Sequence, residues 1–399
     1  MIRFVSLILL FIINSIYGQS AGETLQIINS ANLSDVDFYK EIPFEDRFGY
    51  FIIPVTIGND TYEYIFDTGG YNTITSWAME KNGIATIYEV EVGSVNSVKS
   101  KTGLTKIPEL TIAGLNFREV GALNFDFHEA PRIKCYTNGG LIGKGIIKNA
   151  IWQIDYQTKN IIVTDRLDKL THIDGSFRIK VKLDKTFNPF ITLKINGKKE
   201  SFLLDLGYGG FISLTEKTGQ KYANDKVVTI VGEGSIGANG VIQEESSVIL
   251  LDNLEIGKQT ILAQEAYYTP SNNYNLIGSE LAKHFIITLN FQNKEMYLKP
   301  LTNPYSKQGR TTFGFKLNRN DHGVYVSQIQ KNSVAEKAGM ELEDKVRSIN
   351  GILLETLEYC DFYFKTLKVL KGNTPIEIEV LQNGTWKTLK IEKGTIINP

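Results

Sequence analysis

Two aspartates stand out by where they sit. Asp67 closes the apolar run in Tyr64-Ile65-Phe66-Asp67-Thr68-Gly69-Gly70, and Asp205 closes the one in Phe202-Leu203-Leu204-Asp205-Leu206-Gly207-Tyr208. Each run reads as a buried strand that ends on an ionisable group. Burying a lone carboxylate costs several kcal/mol unless something holds it, so two such sites call for a partner, and each supplies one for the other. Two carboxyls a few ångströms apart cannot both ionise. They share a proton, so that the ionised member can activate water while the protonated one polarises a carbonyl. Gly69 and Gly207 let the backbone turn tightly and approach its counterpart. This chemistry hydrolyses a peptide without metal, cofactor or nucleophilic side chain.

The elements that must carry these residues read as mainly β. The 19 Tyr, 21 Phe and 35 Gly suit strands and turns. Residues 51–58 and 61–66 predict a hairpin around Gly58-Asn59-Asp60, followed by a short helix near 76–81 and a second hairpin around Gly93. Residues 110–114 and 120–127 predict further strands. Leu141-Ile142-Gly143 leads into a short helical segment, and 151–165 predicts two more strands. The programme then repeats. The Asp67 stretch matches the Asp205 stretch without a gap at an offset of 138 residues, and Val92-Gly93 matches Val231-Gly232 at 139. Leu141-Ile142-Gly143 matches Leu276-Ile277-Gly278 at 135, and Trp152–Lys159 lies over Ile287–Lys294 at the same offset. Four ordered matches imply two homologous lobes, 46–165 and 175–300, with one aspartate each.

Two β-barrel lobes, each with one Asp at a sharp turn, resemble the aspartic peptidases, and more closely the retropepsin-like branch with both halves fused in one chain. The resemblance covers residues 46–300. It implies that Asp67 and Asp205 form a catalytic dyad supported by Thr68, Gly69 and Gly207. It also implies that flap hairpins at Gly93 and around Gly232 and Gly234 close over an extended peptide. The chain departs from that pattern at Leu206, where the family carries a hydroxyl that bonds across the interface. It departs again at Tyr208, which is bulkier than usual and is expected to narrow the cleft.

Residues 301–310 read as a linker. Beyond it, Thr312-Phe313-Gly314-Phe315, Gly323-Val324-Tyr325-Val326, the stretch 333–340 and Ile349-Asn350-Gly351 resemble a bacterial-type PDZ domain over 311–395. Glu343 stands where Gly is usual and Val334 where Pro is common. The likeness implies that Phe313, Gly314 and Phe315 present backbone N–H groups to a peptide C-terminus, with a helix from about Tyr359 to Leu370 as the second wall. A groove that only packs on the lobes is the other reading.

The rest of the chain excludes several classes. With 43 basic and 44 acidic residues, nothing suggests nucleic acid as a partner. Met1–Ile13 followed by Gly18-Gln19 reads as a signal peptide over 1–18, implying export to periplasm or medium, and no other segment predicts a membrane span. Cys135 and Cys360 fall in different domains, so no disulfide framework is expected, and two Cys with four His argue against zinc. Gly232-Glu233-Gly234-Ser235-Ile236-Gly237 fits a dinucleotide fingerprint, but Ala238-Asn239-Gly240 continues a turn where a helix is required. Glu233 rules out a nucleophile elbow at Ser235. The fold expected is two pseudo-symmetric acid-protease-like lobes plus a small α+β PDZ-like domain, and the function an exported aspartic endopeptidase acting on peptides or proteins. The alternative is a non-cleaving peptide-binding scaffold, favoured by Leu206.

Overall fold

The computed structural model describes residues 12–14, 21–93, 99–128, 130–224, 226–237, 240–302 and 311–397. The expected signal peptide and linker therefore lie largely outside the described residues.

Each lobe begins with a hairpin whose second strand delivers its aspartate. Tyr50–Ile57 pairs with Asp60–Phe66 in the first lobe, and Pro189–Ile195 pairs with Lys198–Leu204 in the second. The second turn is Asn196-Gly197, both with positive φ, the pairing that matches the twist of antiparallel strands. The strand bearing the aspartate then lies parallel to a short strand from later in its lobe, Gly140–Ile142 or Leu276–Ile277. That neighbour fixes the turn: the Asp67 amide donates to the Ile142 carbonyl and the Asp205 amide to the Ile277 carbonyl, both at 2.9 Å. The apolar faces of these hairpins merge into one core running through both lobes, with Phe66, Trp152, Phe202, Leu204 and Leu206 fully buried.

A six-stranded sheet joins the lobes. Tyr39–Pro43, Ile151–Asp155 and Asn160–Thr164 come from the first, and Phe177–Lys180, Phe285–Asn290 and Glu295–Pro300 from the second. Its central pairing sets Gln153 opposite Thr288, with their side chains hydrogen-bonded at 2.8 Å. These are residues 135 apart, so the sequence repeat maps onto a pseudo-twofold axis passing between them.

The C-terminal domain packs helix Tyr359–Lys371 against strands Phe315–Asn320, Gly323–Gln330, Lys345–Ile349, Ile376–Gln382 and Thr385–Ile391. The helix buries Phe362, Tyr363, Thr366 and Leu370, a one-sided stripe at helical spacing. Strand Gly323–Gln330 also pairs with Val228–Gly237 of the second lobe, extending one sheet across both domains. At the equivalent place in the first lobe, Ile12–Asn14 pairs with Thr86–Gly93. The two registers are pseudo-symmetric: Ile12↔Gly93 and Ile13↔Val92 on one side, Gln328↔Gly232 and Ile329↔Val231 on the other.

One expectation is corrected and one element is added. Helix Ala21–Ile28, which no sequence pattern marked, packs on strand Leu115–Asn124 through buried Ile28. Cys135 and Cys360 form a disulfide. Their separation of 225 residues concealed it, because helix Pro131–Lys134 of the first lobe docks against the start of helix Tyr359–Lys371. Cross-linking a loop this long removes much denatured-state entropy, typically worth about 2–5 kcal/mol in total. Replacing both cysteines by serine is therefore expected to lower unfolding free energy by about that amount in urea titrations, and peptide mapping without reductant should recover a Cys135–Cys360 cross-linked pair.

Candidate active site

The two aspartate loops meet at the lobe interface, with Thr68, Gly69 and Gly207 beside the carboxyls. Asp67, Thr68 and Asp205 are all fully buried. The glycines interlock crosswise: a Cβ on Gly69 would come 2.7 Å from Asp205 Cγ, and one on Gly207 would overlap Asp67 Cγ. Glycine is thus required at both positions by close approach to the opposite carboxyl.

Donors reach the two carboxyls unequally. Asp67 Oδ1 accepts the amides of Gly69 at 2.8 Å and Gly70 at 3.0 Å. Asp67 Oδ2 and both oxygens of Asp205 are buried and accept no hydrogen bond of ordinary geometry. The amide dipoles of Gly207 and Tyr208 still favour the Asp205 anion from their side. Burial raises Asp67 to about 6, opposed by the two amides and by the other carboxyl. Asp205 is pushed well above the ordinary carboxyl range, by burial first and then by the Asp67 charge. One proton on the pair, resting on Asp205 and shared toward Asp67, satisfies both environments.

The missing hydroxyl at Leu206 leaves half of an interlobe clasp. Thr68 Oγ1 donates to the Leu204 carbonyl at 2.7 Å and accepts the Leu206 amide at 2.9 Å, so one hydroxyl ties the two loops. Leu206 itself packs in the shared core. Tyr208, expected to narrow the cleft, instead turns into its own lobe, where it packs with Leu203 and Leu276 and its hydroxyl donates to the Ile212 carbonyl at 3.2 Å.

At the two places where flaps are expected, Thr86–Gly93 pairs with Lys99–Ile112 and Val228–Gly237 with Gly240–Ile256. The residues 94–98 and 238–239 that connect their strands lie outside the described residues. Gly232 serves a purpose beyond the flap: with φ of 113° it lies against the carbonyl of Ser327, where any Cβ would collide. Next to it, buried Glu233 pairs with buried Arg132 of the first lobe and accepts hydrogen bonds from Asn318 and Tyr325 of the C-terminal domain, each at 2.7 Å. This junction was illegible in sequence, because Glu233 sits inside a glycine-rich run that reads as a turn. A Cβ on Gly234 would overlap Glu244 of the facing strand.

In the C-terminal domain, strand Phe315–Asn320 pairs, among the described residues, only with Gly323–Gln330, so no described strand covers its outer edge facing the long helix. Phe313 and Phe315 are buried in the domain core. Gly314 has φ of 84°, and its amide, expected to face a ligand, donates to Thr312 Oγ1 at 3.1 Å. Farther along, Arg319 donates to the Leu357 carbonyl at 2.6 Å and Tyr359 to Asn318 at 3.2 Å, bridging strand and helix.

Residues 305–378 match the PDZ domain family, and the C-terminal domain is a PDZ domain. The chain is 29% identical over 151 residues to Serine protease Do-like HtrB of Bacillus subtilis (strain 168), covering 37% of this chain and 31% of that protein. It is 26% identical over 154 residues to Serine protease Do-like HtrA of the same organism, covering 38% and 33%. The chain spans about a third of the length of these curated relatives, and the matches fall on the PDZ region. Among solved structures it is similar to a retropepsin-like aspartic protease from Rickettsia conorii, 20% identical, covering 31% of this chain and 88% of that one with a TM-score of 0.24. It is also similar to the aspartic proteinase from Irpex lacteus, 12% identical, covering 66% and 98% with a TM-score of 0.42. The fold is mainly β, with two pseudo-symmetric lobes followed by a PDZ domain.

Thr68→Val removes the one hydroxyl of the clasp and leaves a buried amide and carbonyl without it. The expected loss is about 1–3 kcal/mol of stability, read as an earlier denaturant midpoint. Thr68→Ser, which keeps the hydroxyl, should retain most of it.

Proposed function

We propose that this chain is an exported aspartic-type endopeptidase in which Asp67 acts as base and Asp205 as acid. The observation that carries this reading is the unequal environment of two carboxyls in mutual contact across a pseudo-twofold axis. Two backbone amides hold the negative charge on Asp67, while buried Asp205 keeps the proton. A water between them gives a proton to Asp67 as its oxygen attacks the peptide carbonyl carbon, and Asp205 donates a hydrogen bond to the carbonyl oxygen. The proton on Asp67 then passes to the amide nitrogen as the C–N bond breaks. An extended peptide lies beneath the two flap hairpins and pairs with their backbone. The Cys135–Cys360 disulfide supports export, since such bonds persist in oxidising compartments.

The PDZ domain would recognise peptides by strand addition to the outer edge of Phe315–Asn320, the free C-terminus lying toward the loop Phe313-Gly314-Phe315. The bridge from Arg319 and Asn318 to the helix limits such a ligand to its last few residues. Peptides with free C-termini should bind better than their amidated forms in fluorescence-polarisation titrations, and equal binding would leave the domain a packing role.

The first test is cleavage of a diverse peptide mixture by the mature chain, followed by mass spectrometry from pH 4 to 8. Because burial raises Asp67 to about 6, the base is protonated below that value, and cleavage should fall about tenfold per unit on the acid side. Asp205, held well above the ordinary range, keeps its proton toward neutrality. The expected optimum is therefore near neutral, with cleavage lost in both Asp67→Asn and Asp205→Asn. An optimum near pH 3 would contradict the assignment of charge. Absence of cleavage by folded protein at every pH would leave the scaffold reading, for which Leu206 is the supporting feature.

A further inference from the structure

A third charged group lies in the same interface and has no part in the mechanism above. Lys144 follows Leu141-Ile142-Gly143, the segment that braces the Asp67 loop, and its own amide donates to the Gly70 carbonyl at 3.0 Å. It is fully buried. Its Nζ donates across the lobe interface to Asn188 Oδ1 at 2.5 Å and lies 3.9 Å from the centre of the Tyr71 ring. Asn188 in turn donates to Asp184 Oδ2 at 3.0 Å.

The second lobe shows what this position needs structurally. Its equivalent, Ser279, sends a hydroxyl across the interface to the Gly49 carbonyl. A hydroxyl thus completes the contact on one side, and nothing about packing demands an ammonium on the other. A buried cation is costly unless carboxylates compensate it. The groups that face Lys144 electrostatically are Asp184, Asp67 and Asp205, with the Tyr71 ring against it and Tyr274 beyond Tyr71. All the charges among them are acidic. Burial lowers the Lys144 ammonium to about 7, opposed by Asp184 first and then by the two aspartates of the pair. It remains a cation through the acid range in which Asp67 titrates.

We propose that Lys144 is a positioning residue whose cation, fixed by Asn188 and Tyr71, acts through the Asp67–Asp205 pair to extend its singly ionised state further to the acid side. Burial of two carboxyls favours full protonation of the pair; a neighbouring cation opposes it. The inference rests on the peptidase reading for its consequence in cleavage, but not for the electrostatic linkage itself.

The test compares the full mature chain with Lys144→Met, Lys144→Gln and Lys144→Arg. Two readouts are followed, kcat/KM for a cleaved peptide against pH and the titration of Asp carboxyls labelled with carbon-13. In the Met and Gln variants the acid transition of the pair should move up by about one pH unit, lowering relative cleavage at pH 5 about tenfold. Gln keeps a donor toward Asn188, so a shift in both variants belongs to charge, and Arg should restore the parent profile. Profiles that superimpose on the parent in both neutral variants would overturn the proposal. So would an equal shift in all three, which marks packing, or loss of fold in both Met and Gln, which marks a structural role. Cleavage abolished by Asp67→Asn and Asp205→Asn with no carboxyl shift in Lys144→Met would sink this inference and leave the peptidase. A carboxyl shift with no cleavage by the parent at any pH would do the reverse.

Discussion

Two carboxyls sealed from water against one another impose the strictest condition in this molecule. Interior groups without compensation either neutralise or unfold the protein, so the surroundings must hold this pair in one protonation state. Each half of that support comes from the opposite lobe. Gly69 makes room for Asp205, Gly207 for Asp67, and Thr68 ties the second loop to the first. The parallel strands Gly140–Ile142 and Leu276–Ile277 fix the turns, and the shared core and central sheet hold those strands in turn. Neither lobe supplies a site by itself.

Against this symmetry, the two lobes differ in what surrounds the pair. Amides donate to a carboxyl oxygen with ordinary geometry in the first lobe, whereas in the second those of Gly207 and Tyr208 act only as favourable dipoles. A hydroxyl follows the aspartate in one and a packed leucine in the other. A lysine closes one interface contact and a serine the other. The exposed edge of one flap strand accepts residues 12–14, whereas its counterpart accepts a strand of the PDZ domain. Two carboxyls with equal surroundings would hold a shared proton equally; these departures give it a preferred side.

Local patterning made much of this legible. The Asp67 hairpin, the helix Ser76–Lys81 and the paired strands at 151–155 and 160–164 all lie where alternation and turn residues place them. The meeting of Asp67 and Asp205 followed from the repeat, because homologous loops on a twofold axis face each other. What stayed hidden depends on contacts between distant segments. Helix Ala21–Ile28 is short and polar on one side, with its reason for forming in the strand it packs upon. Tyr208 folds inward because Leu203 and Leu276 offer it a surface. Arg132 and Glu233 carry no local sign that they meet. Lys144 did leave a signal: the repeat aligns Leu-Ile-Gly-Lys with Leu-Ile-Gly-Ser, and a charge at an otherwise buried brace marks an exception.

The bond between Cys135 and Cys360 changes what kind of object the chain is. It closes a covalent ring that begins near the end of the first lobe, encloses the whole second lobe, crosses residues 301–310 and returns through the PDZ domain. Within that ring the PDZ domain is attached twice, once by the backbone and once by sulfur. A single cut in the connecting segment would open the ring without freeing the domain. In an environment full of peptidases, the two lobes and the PDZ domain would therefore stay one molecule after damage that separates an unbridged chain into pieces.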